Sequence, residues 1–192
     1  RFLTGMSHEM RSPLNSILGY SQVMLRNHDL GRAQHDAVST IRRSGEHLSS
    51  LVDGLLELSR IEAGKLSLMQ EPLDLAEFLR QIHRMFEPLA QAKGLDFHFS
   101  TSGRLPPRVS ADPKRLRQIL INLMGNAIKF TERGSVSVHV RYQREIAHIE
   151  VSDTGIGIAP DDHQRIFKPF ERLAAGSNVE GTGLGLTITQ LL

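Results

Sequence analysis

The chain has no cysteine and no tryptophan, and only two of its 192 residues are tyrosine. Without cysteine there is no disulfide, zinc ribbon or thiol nucleophile, which fits a reducing compartment. With so few large aromatics there is no platform on which single-stranded bases could stack. An excess of one charge is lacking too. The 23 Lys and Arg stand against 21 Asp and Glu, a formal net charge of +2, where a protein living on nucleic-acid phosphates is lopsidedly basic. No apolar run approaches the roughly 18 residues that a membrane helix needs, and no signal peptide opens the sequence. What is present is the composition of a folded protein, 40% hydrophobic and 23% charged, in a length suited to one large domain or two small ones. The sequence opens with Arg1-Phe2-Leu3 already in helical register and stops at Leu191-Leu192, so it reads as part of a longer chain.

From Phe2 to about Asn27, apolar residues at Leu3, Met6, Met10, Leu14, Ile17, Leu18 and Met24 recur at helical spacing. Pro13 interrupts this stretch. Because proline removes a backbone hydrogen bond and crowds the preceding turn, a kink is expected a few residues after His8. A polar link near Asp29-Leu30-Gly31 leads to a second helical pattern from about Gln34 to Ala63, with Val38, Ile41, Leu48, Leu51, Val52, Leu55, Leu58 and Ile61 close to heptad spacing. Two such helices make an antiparallel hairpin that cannot cover both stripes alone, which predicts a four-helix bundle formed by a homodimer.

Ala63-Gly64-Lys65 ends the second helix, and a domain boundary is expected between Gly64 and Glu71. Beyond it, helical and β-like runs alternate: helix Leu75–Lys93, strand Leu95–Ser100, helix Pro113–Thr131, then strands Ser135–Gln143 and Ala147–Ser152. That alternation indicates an α/β sandwich. Asp112-Pro113 is a good helix opening, an N-cap acceptor followed by proline in the first helical position.

Four segments carry chemistry. Asp153-Thr154-Gly155-Ile156-Gly157 sets a carboxylate at a strand exit before a turn open to close backbone approach. Gly181-Thr182-Gly183-Leu184-Gly185-Leu186 opens the helical Thr187–Leu192, and backbone N–H groups at such a place suit phosphate oxygens. It lacks the Gly-Lys-Ser/Thr ending of a P-loop, and no strand leads directly into it as a Rossmann loop requires. On the Pro113 helix, Asn122 and Asn126 lie four apart on one face with Lys129 a turn further on. Amide oxygens are hard ligands that can serve Mg²⁺ without adding charge beside a polyphosphate. Finally, Ser7-His8-Glu9-Met10-Arg11-Ser12-Pro13-Leu14 places a histidine between Met6 and Met10 of the buried stripe, so that His8 points to the flank. Neutral imidazole is a good nucleophile, and Glu9 could take the proton from its other ring nitrogen. Each segment alone is compatible with an ordinary turn or polar face.

Together they resemble one family, the sensor histidine kinases of two-component signalling. Ser7 to Leu14 is similar to its H box, Asn122 to Phe130 to its N box and Asp153 to Gly157 to its G1 box; Phe167-Lys168-Pro169-Phe170 resembles its F box and Gly181 to Gly185 its G2 box. All five occur in the expected order over essentially the whole chain. The resemblance implies a dimerisation and histidine-phosphotransfer hairpin (1–64), a linker (65–70) and an ATP-binding domain of the GHKL type (71–192), truncated at its C-terminus because the family continues with further strands.

Carried over by position, His8 would attack the γ-phosphate of ATP through Nε2, with Glu9 as base. Ser12 stands where the family usually has Thr or Asn, and its hydroxyl could orient water for dephosphorylation of a partner. Asn126 would be the principal Mg²⁺ ligand with Asn122 in support, and Lys129 would contact phosphate. Asp153 would accept the exocyclic amine of adenine and repel the oxygen that guanine presents there. Gly155 and Gly157 would let the chain pass close to the base. Gly181, Thr182, Gly183, Leu184, Gly185 and Thr187 would bind the phosphate side, and Phe167 and Phe170 would anchor a lid spanning Arg172 to Glu180.

The implied partners are a second copy and the aspartate of a response-regulator receiver domain, separate or fused, with no nucleic acid. The segment itself would be cytoplasmic, and its parent anchored to the bacterial inner membrane through segments upstream. Phosphotransfer would require a swing about the Gly64–Glu71 linker, with Pro13 as a bending element. Competing readings are a non-kinase GHKL ATPase, against which the H box and hairpin argue, and a catalytically weak dimeric nucleotide-binding scaffold.

Overall fold

The computed structural model describes residues 2–27, 30–173 and 181–192, the side chains of residues 2–9 excepted. Helix α1 (Phe2–Leu25) and helix α2 (Arg32–Glu62) form the antiparallel hairpin, and α1 continues through Pro13. The two approach closely at Gly45, where a Cβ would lie 2.9 Å from Leu18 Cδ2. An ion pair of Arg11 with Asp53 fixes the register. Leu14, Val38, Val52 and Leu58 are buried, but Met10, Ile17 and Met24 on α1 and Ile41, Leu48 and Leu55 on α2 are exposed. Each of these exposed trios has a seven-residue spacing, the stripe that the hairpin leaves uncovered.

Gly64 ends α2 in the left-handed region at φ +62°, and the Lys65 N–H closes back on the Arg60 carbonyl at 2.9 Å. Residues 65–70 then run without helix or strand to β1 (Glu71–Leu73), which pairs antiparallel with β3 (Val109–Ala111). Periodicity does not predict this two-stranded sheet, because three residues are too few to show alternation. Pro72, which has no N–H, suits it only as an edge.

Between and after these strands come α3 (Leu75–Ala92), β2 (Asp96–Ser102), α4 (Pro113–Phe130), β4 (Ser135–Gln143) and β5 (Ile146–Asp153). Two single-turn 3₁₀ helices, Pro160–Asp162 and Arg165–Phe167, precede α5 (Gly185–Leu191). The second sheet has the order β2-β4-β5, with β2 parallel to β4 and β4 antiparallel to β5. The parallel pair requires a crossover, and that crossover carries α4.

Helix α3 buries Leu75, Phe78, Leu79, Ile82, Phe86 and Ala90, three and four residues apart, against the sheet. Beside it α4 buries Leu120, Met124, Ala127 and Ile128, and both meet Val136, Val138 and Val140 of β4. Each large side chain so buried contributes about 1.5–3 kcal/mol relative to exposure. The alternate residues His98, Ser100, His139, Arg141 and Glu150 stay on the outer face. This is the two-layer α/β sandwich that the alternating pattern predicts.

Both helices are capped from their own sequence. Asp74 Oδ1 accepts the Glu77 N–H at 2.9 Å, and Asp112 Oδ1 accepts the Arg115 N–H at 3.0 Å with Pro113 first in α4. At the other end of α4, Lys93 Nζ donates to the Ile128 and Lys129 carbonyls at 2.7 and 2.8 Å.

The hairpin and the sandwich touch along α2. The Glu57 carboxylate accepts from Arg115 Nη1 and Gln118 Nε2 of α4. Next to it Leu58 and Ile61 pack on Leu184, Ile188 and Leu192. At Gly54 a Cβ would lie 2.8 Å from Leu184 Cδ1. Among the described residues no helix is long and apolar enough to cross a membrane.

Candidate functional site

A cavity of about 710 Å³ opens between α4, the end of β5 and the segment that leads into α5. Helix α4 contributes Asn122, Asn126 and Lys129 to its wall, one turn apart on the face turned from the sheet. Strand β5 delivers Asp153 at its last residue, and the loop beyond brings Ile156, Gly157 and Ile158. Phe167 adds an aromatic wall, and Gly181, Thr182, Gly183 and Gly185 close the far side. Segments far apart in sequence thus converge because α4 and β5 lie side by side in the sandwich.

The geometry at each end is specific. Asp153 Oδ1 accepts the Gly155 N–H at 2.9 Å, which fixes the carboxylate at the mouth of the turn. The Lys129 ammonium lies over Gly181, where a Cβ would be 2.8 Å from Nζ, and 5.1 Å from the Phe130 ring centroid. The cavity therefore holds a carboxylate at one end and an ammonium and two amides toward the other, with apolar walls between. It suits a flat heterocycle bearing a donor at one end and a polyanion at the other.

Four of the residues that the resemblance assigns to the nucleotide do not line it. Gly155 sits beneath the wall, where a Cβ would lie 2.5 Å from the Phe130 carbonyl oxygen, so its bareness serves packing. Leu184 is buried against α2, and Thr187 is buried with a hydroxyl that has no partner among the described residues. Phe170 is 52% exposed. What Phe170 contributes is backbone. At φ +64° its N–H donates to the Gly183 carbonyl at 3.0 Å. Gly183, at φ +71°, approaches so closely that a Cβ would be 2.9 Å from Phe170 Cα, which a side chain would forbid. The end of the F box and the G2 box are therefore joined.

His8 and Glu9 lie on α1, and their side chains fall outside the described residues. So does most of the proposed lid, 174–180, while Arg172 and Leu173 line the cavity. Ser12 is exposed on α1, and its carbonyl accepts the Ser16 hydroxyl at 3.2 Å. Since Arg11 faces Asp53 in an antiparallel hairpin, the turn of α1 that carries His8 is level with the turn of α2 near Glu57, where the sandwich is seated.

Sequence reasoning missed Ile166 and Thr189 as lining residues. Ile166 belongs to a 3₁₀ turn with no periodic signature, whereas Thr189 was legible as the residue one helical turn beyond Gly185. Outside the cavity, Asp112 has its carboxyl held below the ordinary carboxylate range by the backbone N–H of Met69 and that of Arg115. Among the described residues no cluster of three His, Cys, Asp or Glu could hold a metal ion. A cation at this site would rest on the amide oxygens and on oxygens of the bound molecule itself.

Residues 1–64 match the His Kinase A (phospho-acceptor) domain, and residues 111–192 match the histidine kinase-, DNA gyrase B- and HSP90-like ATPases. Over its full length the chain is 38% identical to the signal transduction histidine-protein kinase BarA of Escherichia coli strain K12, of which it spans 22%. It is similar to full-length ShkA solved in complex with AMPPNP, with a TM-score of 0.81 and 38% identity over 98% of this chain and 39% of that one. It is also similar to the histidine kinase ThkA in complex with the response regulator protein TrrA, with a TM-score of 0.61 and 26% identity over 91% of this chain and 51% of that one. With a phospho-acceptor hairpin in front of an ATPase sandwich, both matched in order along one sequence, the chain belongs to the sensor histidine kinases.

Proposed function

We propose that this chain is a histidine kinase catalytic core that phosphorylates its own His8 from ATP and passes the phosphoryl group to an aspartate of a response-regulator receiver domain. The observation that carries it is the convergence of Asn126, Lys129 and Asp153 on one cavity whose α5 edge is seated on the hairpin bearing His8. In division of labour, 1–64 is the phosphotransfer hairpin, 65–70 the linker and 71–192 the ATP-binding unit.

Asp153 accepts the adenine amine, and Gly157 and Phe167 flank the base. Lys129 offsets phosphate charge, helped by Gly181 and Thr182. The donor set fits Mg²⁺, a hard ion that keeps water and shares phosphate oxygens, with Asn126 Oδ1 as its ligand and Asn122 supporting from the next turn. When bound, the ion neutralises charge on the phosphates. The remaining chemistry belongs to the hairpin. The Nε2 lone pair of neutral His8 forms the N–P bond as the bond from Pγ to the bridging oxygen breaks and ADP leaves. Glu9 takes the proton released from Nδ1. Phosphotransfer to the receiver aspartate then breaks the N–P bond.

A homodimer is supported by the uncovered stripes Met10, Ile17, Met24 and Ile41, Leu48, Leu55, which border a groove of about 310 Å³ lined by Leu14, Ile17, Ile41 and Leu48. A second hairpin laid there makes the four-helix bundle. Incubation with γ-labelled ATP and Mg²⁺ tests the whole proposal. The expected label is acid-labile and base-stable, and is lost in both His8→Ala and Asn126→Ala. Nucleotide binding without any label would point instead to the scaffold.

A further inference from the structure

The amide of Asn122 is held from two sides by α5. Its Nδ2 donates to Thr189 Oγ1 at 2.8 Å. Its other edge is pressed on Gly185, where a Cβ would overlap Oδ1 and lie 2.8 Å from Cγ. Gly185 and Thr189 are four residues apart in one helix, so they stand one above the other and form a notch: a bare backbone below, a hydroxyl above. All three residues border the cavity. An asparagine amide otherwise turns with little preference about its last torsion. Here the amide rests with its oxygen against Gly185 and one N–H spent on Thr189. The second N–H is left toward the cavity, and it suits a phosphate oxygen and not a cation.

The helix that supplies this notch is itself positioned by the hairpin. Leu184, the residue before α5, and Ile188, on its adjacent stripe, are buried against Leu58 of α2 with Ile61 alongside. One short helix therefore grips Asn122 on one face and α2 on another.

We propose that Thr189 is a positioning residue for phosphoryl transfer: its hydroxyl, with the gap at Gly185, fixes the Asn122 amide so that nitrogen, not oxygen, serves the phosphate groups. This rests on the assignment of Asn122 to the phosphate side of the ATP site made above. It refines that assignment, because Asn122 then supports the bound Mg²⁺ from the phosphate side while Asn126 supplies the oxygen ligand.

The test compares Thr189→Val, which keeps the shape and removes the hydroxyl, with Thr189→Ser, which keeps the hydroxyl. Autophosphorylation by Thr189→Val is expected to slow about 3- to 10-fold, the worth of one hydrogen bond, with the KM for ATP and the Mg²⁺ concentration for half-maximal rate unchanged. Thr189→Ser should restore the rate to within about twofold. In nucleotide-free protein, the Asn122 side-chain NH₂ signals in the ¹⁵N NMR spectrum should move in the valine variant and return in the serine one. Combined with Asn122→Ala, the valine substitution should add no further loss.

A wild-type rate in Thr189→Val while Asn122→Ala is slow would overturn the positioning role and leave Asn122 in the site. Equal slowing in the serine and valine variants would also overturn it, as lost packing of the methyl group. A wild-type rate in Asn122→Ala would overturn the underlying assignment and this proposal with it.

Discussion

Asp112 serves two segments with one carboxylate. Oδ1 caps α4 through the Arg115 N–H, and Oδ2 accepts the Met69 N–H at 2.9 Å, tying the end of the linker to the helix that carries Asn122 and Asn126. The Met69 and Arg115 N–H groups hold its carboxyl below the ordinary carboxylate range. A carboxyl depressed on folding contributes stability that is fully present above the unfolded value and is lost as pH falls through the folded one. Wild-type protein should therefore lose Tm on acidification below about pH 4. Asp112→Asn should begin at a lower Tm at neutral pH and show a shallower acid slope, measured by thermal melting across pH. Equal slopes would assign the acid sensitivity to other carboxylates.

Residues of this kind were readable in advance, since Asp-Pro before an apolar-periodic run states its own capping geometry. The glycines were less so. A motif names which residues are small, but not whether the gap faces ligand or protein, and Gly155 and Gly185 make room for the Phe130 carbonyl and the Asn122 amide. For the same reason Leu184, inside the G2 segment by sequence, and Thr187, just beyond it, turn away from the cavity.

Among the elements, the β4–β5 hairpin is well drawn by its sequence, with Ser135–Gln143 matching β4 and Ala147–Ser152 lying within β5. Its turn is drawn badly. Arg144 and Glu145 both adopt positive φ, 51° and 64°, the conformation for which Asn-Gly is suited and long charged side chains are not. Arg144→Asn with Glu145→Gly should stabilise the protein by about 0.5–1 kcal/mol, read as a raised urea midpoint with an unchanged slope. An unchanged or lowered midpoint would show that the charged pair contributes more than the strain costs.

The strands β1 and β3 escaped the sequence because pairing, not pattern, makes them, with Glu71 to Leu73 finding Ala111 to Val109 across the whole of α3 and β2. Helix α1 shows the opposite case. Pro13 marks an interruption in sequence, yet the helix runs on, because neighbouring Leu14 is buried in the hairpin and Leu18 meets Gly45. Tertiary packing outweighs the lost hydrogen bond.

At the scale of the whole molecule, α2 serves three faces: one for α1, one for the sandwich at Glu57 and Leu58, and one left bare at Ile41, Leu48 and Leu55. In the homodimer proposed above, the bare face is the one that meets the second copy. Leu48, 47% exposed, lies midway along it. Leu48→Lys should halve the mass found by light scattering while circular dichroism keeps its helical signal, since the hairpin's own buried contacts at Leu14, Val38 and Val52 are untouched. A mass equal to that of the wild type would place the contact elsewhere.

The parallel pairing of β2 with β4 bears on how the molecule is made. Asp96 must find Ser135, and Ser102 must find Arg141, with β3 and all of α4 looped out between them. Such a closure loses much chain entropy before any contact compensates for it, and is slow compared with the zipping of β4 to β5. The helix that bears Asn122 and Asn126 is that loop. Their places opposite Asp153 are set only when the slow closure is complete, so an early folding intermediate with a formed hairpin and a formed β4–β5 pair has no nucleotide site.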